Sequence, residues 1–354
     1  MTTQVNPERL EAFLGKVVAD LAASYGGVMV SLGDKLGLYR AMRGAGALGA
    51  PELARKSGCA ERYVQEWLNS QAAAGYVHYH ADSGTYELSP EQAAVFADDE
   101  SPMFFPPAWQ VPASMWFDEG KMLEAFRSGA GVPWGDHDER LFCGVAAFFR
   151  NGYRAHLVAE WLPALEGVTE KLERGGKVVD VGCGHGHSTI FMAQAFPNSR
   201  FLGLDTHTRS LEAARKNAAD AGVAQRTRFE HPLAPHFAPG DADLICFFDC
   251  LHDMGHPAAA AANALRSLAP DGTVMLVEPY ADDRVENNLN PVGQIYYSAS
   301  TTLCCPHALS ENGTHALGAQ AGMARLEAIF RDAGFTRFRL ATQTPFNLVL
   351  EARP

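Results

Sequence analysis

Five short apolar segments alternate with amphipathic segments between residues 177 and 278. The apolar segments are residues 177–181, 201–205, 226–230, 242–249 and 273–278. Continuous apolar and β-branched runs of this length are typical of strands that are buried on both faces of a parallel sheet. Segments of helical period separate several of them, notably 210–221 and 256–268. We therefore predict a Rossmann-like, doubly wound α/β domain over residues 166–354.

The end of the chain departs from this alternation. A helix near residues 323–333 stops at Gly334, and two more strands are predicted near 336–341 and 346–351. The short turn between them favours an antiparallel hairpin, because parallel neighbours need a long crossover connection. We expect a seven-stranded sheet in which one strand runs antiparallel to the others.

The first hundred residues predict a separate, mainly helical domain. Apolar residues recur at helical spacing from Leu10 to Val17, and Gly26-Gly27 is expected to end that helix. Two further helices follow, with a turn between them at 57–59, and then a hairpin of residues 76–88. Helix, turn, helix and hairpin make a winged helix, so we place a winged-helix or dimerisation domain at residues 1–100.

The charge of this domain decides which partner it is expected to bind. The chain of 354 residues has a formal net charge of −12, which argues against nucleic acid as a general partner. The second helix carries Arg62 beside Glu61 and Glu66, and the hairpin carries Asp82 and Glu87 without Lys or Arg. A DNA-reading domain should present several cations on these elements. We expect a homodimer formed through the N-terminal helices, and no nucleic-acid partner.

Residues 101–165 predict a helical connector that is rich in aromatic side chains. Most of these side chains should be core, but ligand pockets are apolar and lie preferentially between domains. A long insert at 279–317 follows the fifth strand and should form a lid or a further wall beside the carboxyl ends of the strands. The side chains predicted to line a substrate pocket are Trp109, Trp134, Phe149, Tyr153 and Tyr297.

A glycine loop follows the first strand of the sheet directly. Glycines remove Cβ atoms where a ligand approaches the backbone, and they permit φ values that other residues resist. The second strand ends in an acid, and an acid at that place can accept both hydroxyls of a ribose. The loop and the acid together predict a nucleoside site. Its candidate residues are Asp180, Gly182, Gly184, Gly186, Asp205 and Thr206.

The spacing of the glycines indicates which class of nucleoside-containing ligand the loop is expected to bind. The dinucleotide fingerprint is G-x-G-x-x-G, whereas this loop is G-x-G-x-G with His187 at the dinucleotide position. No Gly-Lys-Ser/Thr follows, which excludes a P-loop. Such a loop after a strand with an internal acid resembles the site of class I S-adenosylmethionine-dependent methyltransferases, and the predicted antiparallel ending is similar too. The resemblance implies S-adenosylmethionine as the cofactor.

The segment after the fourth strand carries a second resemblance. Residues 248–254, Phe-Asp-Cys-Leu-His-Asp-Met, are similar to the His-Asp-Trp segment of small-molecule O-methyltransferases of plants and bacteria, which also have an N-terminal winged helix. In that family the histidine is the general base and a downstream glutamate orients it, so the resemblance assigns these roles to His252 and Glu278. A histidine titrates near neutral pH, which suits this task. Phe248 and Asp249 are expected to border the cofactor.

The chain departs from that family at three positions. Met254 replaces the tryptophan, Phe248 replaces a lysine of the plant proteins, and Leu233 stands where an acid usually contacts adenine. These changes leave the methyl acceptor open. The insert and the tail at 344–347 resemble instead a group of uncharacterised actinobacterial methyltransferases.

Cysteine usage and the N-terminus bear on the compartment. Seven cysteines without a C-x-x-C pair favour free thiols in a reducing compartment. We see neither a signal peptide nor an apolar run that could span a membrane, so we expect a cytoplasmic protein. Zinc ligands usually come in closely spaced pairs, and Gly255 and Pro257 interrupt the helical spacing of His252 and His256. We therefore expect no metal.

The interpretation that best fits these features is methyl transfer from S-adenosylmethionine to a small, partly apolar molecule at oxygen. Two other functions stay open. A winged-helix regulator that senses the cofactor would show sequence-specific DNA binding. An enzyme that uses the bound sulfonium without transferring its methyl group would yield products without a methyl gain. Nitrogen, carbon and sulfur acceptors are also open.

Overall fold

The computed structural model describes residues 5–232, 237, 240–313 and 316–354. Leu233, the position matched to an adenine contact, lies outside the described residues. The chain divides into two compact units. The first unit runs to Ala113 and includes Cys143–Asn151, and the second contains Ser114–Phe142 and Gly152–Pro354. The connector expected at 101–165 is thus divided between the two units.

The first unit is a winged helix preceded by a long helix, as the sequence predicted. Its core includes Tyr39, Leu68 and Phe96. The wing is antiparallel, with Tyr79 opposite Tyr86. The elements are α1 (Pro7–Lys35), α2 (Leu38–Met42), α3 (Ala50–Ser57), α4 (Glu61–Ala73), β1 (His78–His80), β2 (Thr85–Glu87), α5 (Pro90–Phe96) and a 3-10 turn (Pro106–Trp109), which leads into α6 (Gln110–Phe117).

The glycine pair Gly26-Gly27 does not end the first helix, and that prediction was wrong. Helix α1 continues through both glycines to Lys35. A Cβ atom on Gly27 would lie 2.5 Å from Cδ1 of Trp109, and one on Gly33 would lie 2.5 Å from Cζ2 of Trp67. These glycines are therefore sites where aromatic rings pack directly against the helix backbone. Close packing offsets the cost of about 1 kcal/mol that glycine brings to a helix interior.

Helix α1 also contradicts the prediction that no apolar run is long enough to span a membrane. Its 29 residues are long and apolar enough to cross a membrane, by length and composition only. Core helices and signal sequences satisfy the same criteria, so this is weak evidence for a membrane span. The apolar stripe predicted from the sequence is present but faces outward, with Phe13 63% exposed and Leu14 52% exposed.

The second unit is built on a seven-stranded sheet, which confirms the predicted fold class. Its helices are α7 (Glu119–Ser128), α8 (Glu139–Gly152, shared with the first unit), α9 (Val168–Arg174), α10 (His187–Ala195), α11 (Thr208–Asp220), α12 (Pro257–Ser267), α13 (Pro291–Ala299), α14 (Cys305–Ser310) and α15 (Met323–Asp332). Its strands are β3 (Lys177–Val181), β4 (Arg200–Leu204), β5 (Thr227–Glu230), β6 (Ala242–Phe248), β7 (Leu268–Pro279), β8 (Arg337–Gln343) and β9 (Asn347–Arg353). Short 3-10 turns lie at Trp134–Asp136, Leu251–Asp253 and Val285–Asn288.

The strand order positions the candidate site. The sheet runs β5-β4-β3-β6-β7-β9-β8. Strand β9 pairs antiparallel with both β7 and β8, while the five strands from β3 to β7 are parallel. The chain leaves β3 towards β4 on one side and returns through β6 on the other. The order therefore reverses beside β3, and ligands of doubly wound sheets bind at such a switch point.

Two elements differ in detail from their predictions. Within the connector predicted to be helical, the chain is α-helical over Glu139–Gly152 and π-helical over Tyr153–Trp161. Strand β7 begins at Leu268 rather than at Thr273, because Leu268 pairs with Ala242 across an irregular register. Neither difference moves the carboxyl ends of the strands, where the candidate site lies.

Candidate active site

The glycine loop after β3 has the backbone conformation that its sequence predicted. Gly182, Gly184 and Gly186 have φ values of 72°, 52° and 76°, all in the left-handed region. A Cβ on Gly186 would lie 2.8 Å from the Phe229 ring, whereas nothing lies within 4 Å of a Cβ built on Gly184. The outer glycines thus allow close packing, and the middle one leaves open backbone that a ligand can approach.

Asp180 lies at the buried end of β3 and ties the strand to the next helix. Ser188 Oγ and Thr189 Oγ1, in the first turn of α10, donate to its Oδ2 over 2.7 and 2.5 Å. Its Oδ1 is buried and accepts no hydrogen bond among the described residues. Burial raises the pKa of this carboxyl to about 6, against the opposing effect of the two hydroxyl donors. Asp180 therefore has a structural role, and its unpaired Oδ1 can still accept a donor from a ligand.

Asp205 is held next to the glycine loop by two backbone donors. Gly184 N donates to its Oδ2 and His207 N donates to its Oδ1, each over 2.8 Å. Each carboxylate oxygen has two lone pairs, so both oxygens keep acceptor capacity after these bonds. Thr206 is exposed beside it. The loop and the acid that the sequence analysis paired are thus joined directly by a hydrogen bond.

Phe248 is the last residue of strand β6, on the other side of β3, and Asp249 follows it directly. Asp249 adopts φ 49°, which is uncommon for a residue with a side chain. Its Oδ1 accepts a hydrogen bond of 2.9 Å from Nδ2 of Asn347, the first residue of β9. Burial, and then the charge of Glu278, raise the pKa of Asp249 well above its usual range. Tyr153 packs on Phe248 with 5.3 Å between ring centroids, and burial, followed by the charge of Asp249, raises the pKa of its hydroxyl well above the usual value.

His252 and Glu278 form the pair that the sequence analysis predicted. His252 Nδ1 lies 2.5 Å from Glu278 Oε2, and the N–H of Leu251 donates to Glu278 Oε1 over 3.1 Å. Both side chains are buried, at 4% and 1% exposure. The second carboxylate oxygen is thereby fixed to the turn that carries the histidine, which sets the orientation of the ring.

Asp253 is a member of the site that sequence reasoning missed. Its Oδ1 lies 3.0 Å from His252 Nε2, so carboxylates face both ring nitrogens. Burial lowers the pKa of His252, but the charges of Asp253 and Glu278 outweigh it and raise that pKa well above its usual value. The raised pKa favours the protonated ring. The adjacent position of Asp253 was visible in the sequence, but the direction of its side chain was not.

The residues predicted to line a pocket are divided between the two units. Trp109 and Phe149 belong to the first unit, where Trp109 packs over Gly27 and Phe149 contacts Phe148. Trp134, Tyr153 and Tyr297 belong to the second unit. Trp134 is half-buried between Phe142 and His307, with centroids 6.0 Å from each ring. Of these five side chains, Tyr153 packs against Phe248 at the end of β6.

Two domain families match the chain. Residues 24–97 match the Rv2258c-like winged HTH domain, and residues 172–333 match a family described as a methyltransferase domain. The ubiquinone biosynthesis O-methyltransferase of Psychrobacter arcticus is 29% identical over 167 residues, which cover 46% of this chain and 60% of that protein. The chain therefore spans less than two thirds of the length of this curated relative.

Solved structures share the fold over nearly the whole chain. An O-methyltransferase family protein from Burkholderia thailandensis superposes with a TM-score of 0.70 at 16% identity, covering 96% of this chain and 98% of that one. Human N-acetylserotonin methyltransferase, solved in complex with SAM, gives a TM-score of 0.69 at 15% identity, covering 100% and 99%. At these identities the likeness shows the fold. The chain therefore joins an N-terminal winged helix-turn-helix domain to a methyltransferase domain of the class I fold.

Proposed function

We propose that the protein transfers a methyl group from S-adenosylmethionine to an oxygen of a small, partly apolar molecule. One observation carries this proposal: the Gly184 N–H donates to Asp205, which joins the open glycine loop to the ribose acid in a methyltransferase domain. Proteins that bind only a nucleotide phosphate place a helix N-terminus and a lysine at this point, and no such lysine follows the loop here.

The residues of the second unit fit this cofactor. Asp205 and Thr206 are the proposed contacts of the ribose, and Gly184 leaves open backbone for the methionine portion. The buried Oδ1 of Asp180, which lacks a partner among the described residues, offers an acceptor at the end of β3 beside this loop. Phe248 and Asp249 border the crevice from β6. The bound cofactor supplies an electrophilic methyl group on a sulfonium, and an apolar face beside a cation is favourable.

His252 is the proposed general base, with Glu278 as its orienting partner. The base must present Nε2 to the hydroxyl of the acceptor, and in the described arrangement Asp253 faces that atom at 3.0 Å. The acceptor hydroxyl must therefore take the place of Asp253, which also lowers the pKa of the ring by removing a negative neighbour. Glu278 stays on Nδ1 and stabilises the imidazolium that forms, as carboxylates do in other His–acid pairs.

The same proposal includes the partners and the compartment. Helix α1 exposes a row of large apolar side chains, among them Phe13, Leu14 and Val18, and apolar patches of this kind mark protein interfaces. A second copy of the chain covers that row in the proposed homodimer. The acidic net charge argues against a nucleic-acid partner, and the seven free cysteines support a reducing, cytoplasmic compartment.

Product analysis tests the proposal. Purified protein is incubated with S-adenosylmethionine and a panel of phenols, hydroxy acids and amines, and products are examined by mass spectrometry. Addition of one methyl group to a hydroxyl compound, with His252→Ala inactive, supports the mechanism. Methylation that survives His252→Ala at full rate would remove the base from it. Turnover of cofactor without a methylated product, or nanomolar binding to specific DNA, would support the other functions.

A further inference from the structure

We propose that His252, Asp253 and Cys304 form a binding site for a divalent ion of the zinc class. One donor atom of each side chain, an imidazole nitrogen, a carboxylate oxygen and the thiol sulfur, lies within 4.8 Å of the other two. Histidine, cysteine and carboxylate are the ligand types that Zn²⁺ prefers, and three protein ligands with one open position is a recurrent arrangement.

These ligands lie on two separate elements of the fold. His252 and Asp253 lie in the 3-10 turn after β6, and Cys304 closes a π-helical turn, Ser300–Cys304, between α13 and α14. Turns with π geometry inside helices occur frequently at functional sites, because they re-aim side chains that a regular helix would direct elsewhere. All three residues belong to the second unit, and His252 and Cys304 are buried.

The contact between His252 and Asp253 has the geometry of two ligands that share a target. Nε2 and Oδ1 are 3.0 Å apart, yet this buried oxygen accepts no hydrogen bond of acceptable angle among the described residues. A hydrogen-bonded pair would align the N–H with the oxygen, whereas two ligands of one ion point towards a common third position. The misalignment leaves this oxygen able to bind an ion that lies among the three donor atoms.

The other nitrogen of His252 supplies an independent indication. Glu278 faces Nδ1 at 2.5 Å and is itself fixed by the N–H of Leu251. A histidine that binds a metal through one nitrogen usually donates the other N–H to a carboxylate, which fixes its tautomer and raises its basicity. On binding, the ion takes the lone pair of Nε2, and the protons of the imidazolium and of the Cys304 thiol leave to solvent. One carboxylate, one thiolate and a neutral imidazole then balance the double charge of the ion.

Binding at this site has a consequence for methyl transfer, which rests on the proposed function. An ion on Nε2 removes the atom that would accept the proton of the hydroxyl. Zn²⁺ should therefore inhibit transfer reversibly, and a chelator should restore it. This places the ion as an inhibitor at the base and leaves the metal-free protein as the active form.

Cobalt spectroscopy tests the site without an activity measurement. Metal-free protein is titrated with Co²⁺, whose thiolate complexes absorb in the near ultraviolet and whose tetrahedral complexes absorb in the visible range. We expect both bands with one equivalent bound in the wild type. Cys304→Ser should lose the thiolate band and weaken binding at least ~10-fold, while the neighbouring Cys305→Ser should match the wild type.

The controls separate the site from the proposed function. Circular dichroism and thermal unfolding show whether Cys304→Ser is folded, and His252→Gln serves as a second variant that should lose the visible bands. Absence of a thiolate band in the wild type, or an unchanged band in folded Cys304→Ser, would overturn the site. Protein that binds Co²⁺ through Cys304 but shows no methyl transfer supports the site and counts against the proposed function instead.

Discussion

The two carboxylate oxygens of Glu278 contact two different residues of one turn. Oε2 lies 2.5 Å from His252 Nδ1, and Oε1 accepts a hydrogen bond from the N–H of Leu251. The strand that ends at Pro279 thereby holds the 3-10 turn of its neighbour strand in place. The orientation of the imidazole is set by the sheet itself, since both partners are buried and attached to adjacent strands.

Replacement of this carboxylate should therefore cost stability and activity together. We expect Glu278→Gln to lower the free energy of unfolding by about 3 kcal/mol, because a buried charge loses its partner. Urea denaturation measures this change. Glu286→Gln provides the matched control, since Glu286 is 56% exposed in its pair with Arg284, and we expect a change of at most ~0.5 kcal/mol. Equal effects of the two substitutions would contradict the structural role of Glu278.

Asp205 should control cofactor affinity. We expect Asp205→Ala to weaken binding of S-adenosylhomocysteine by at least ~100-fold, because two ribose hydroxyls lose a charged acceptor, each such bond being worth about 1.5–3 kcal/mol. Isothermal titration calorimetry measures the dissociation constant. Asp220→Ala, on the exposed end of α11, is the control for a removed carboxylate. Wild-type affinity in the Asp205 variant would show that the ribose site is misplaced.

Asp180 should make stability depend on pH in a defined window. Its pKa is about 6 in the folded chain against 3.8 for an ordinary aspartate, so folding favours the protonated carboxyl. The stabilisation is complete below pH 3.8 and is lost as pH rises through about 6. The difference between the two pKa values corresponds to about 3 kcal/mol in the free energy of unfolding.

Asp180→Asn tests this linkage, because asparagine cannot ionise. We expect the variant to gain stability relative to the wild type as the pH rises from about 4.5 to about 7.5, an interval that spans the raised pKa, measured by urea denaturation at both values. Asp220→Asn, on the exposed surface of α11, should show no such trend. If the free energies of unfolding of the variant and the wild type differ by the same amount at both pH values, the raised pKa of Asp180 is contradicted.

The glycines of α1 allow a matched pair of substitutions. Gly27→Ala would place a Cβ 2.5 Å from the Trp109 ring, and we expect a loss of about 1–3 kcal/mol through overpacking. Gly26→Ala meets nothing within 4 Å and should stabilise the helix by up to about 1 kcal/mol. Thermal unfolding of the two variants, whose substitutions are one position apart, measures the difference in their stability. Two variants of equal stability would show that the close approach of Trp109 is not a constraint.

Helix α1 should also control assembly. Phe13 is 63% exposed in the middle of the outward apolar row. We expect the wild type to be a dimer by light scattering and Phe13→Asp to be a monomer at the same concentration, because a charge in an apolar interface loses its solvation. Lys16→Asp, on an exposed position of the same helix, is the charge control. A monomeric wild type would contradict the proposed homodimer.

The sheet and the conformation of the glycine loop could be predicted because their causes are local. Continuous apolar runs indicate buried strands, and the positive φ values of Gly182, Gly184 and Gly186 follow from glycine itself. The course of α1 could not be predicted in this way. Gly27 weakens a helix locally, and the ring that compensates, that of Trp109, comes from a distant part of the chain. Tertiary packing overrode the local preference.

The surroundings and the pKa shift of His252 could not be predicted from the sequence, for a related reason. The residue types His, Asp and Glu were all visible in the sequence, and the pairing of His252 with Glu278 followed from the family resemblance. Whether Asp253 faces Nε2 depends on the backbone of one 3-10 turn and on the buried surroundings of both side chains. Charge and burial shift the pKa of this histidine in opposite directions, and their balance is a property of the folded chain.

The hydrogen bond from Asn347 to Asp249 has a consequence for biosynthesis. These two residues are 98 positions apart, and Asn347 is the first residue of the last strand. While the polypeptide is still emerging from the ribosome, the crevice beside β6 lacks this support. The earlier parallel strands can assemble first, but the carboxyl group of Asp249 gains its amide partner only after translation has passed residue 347.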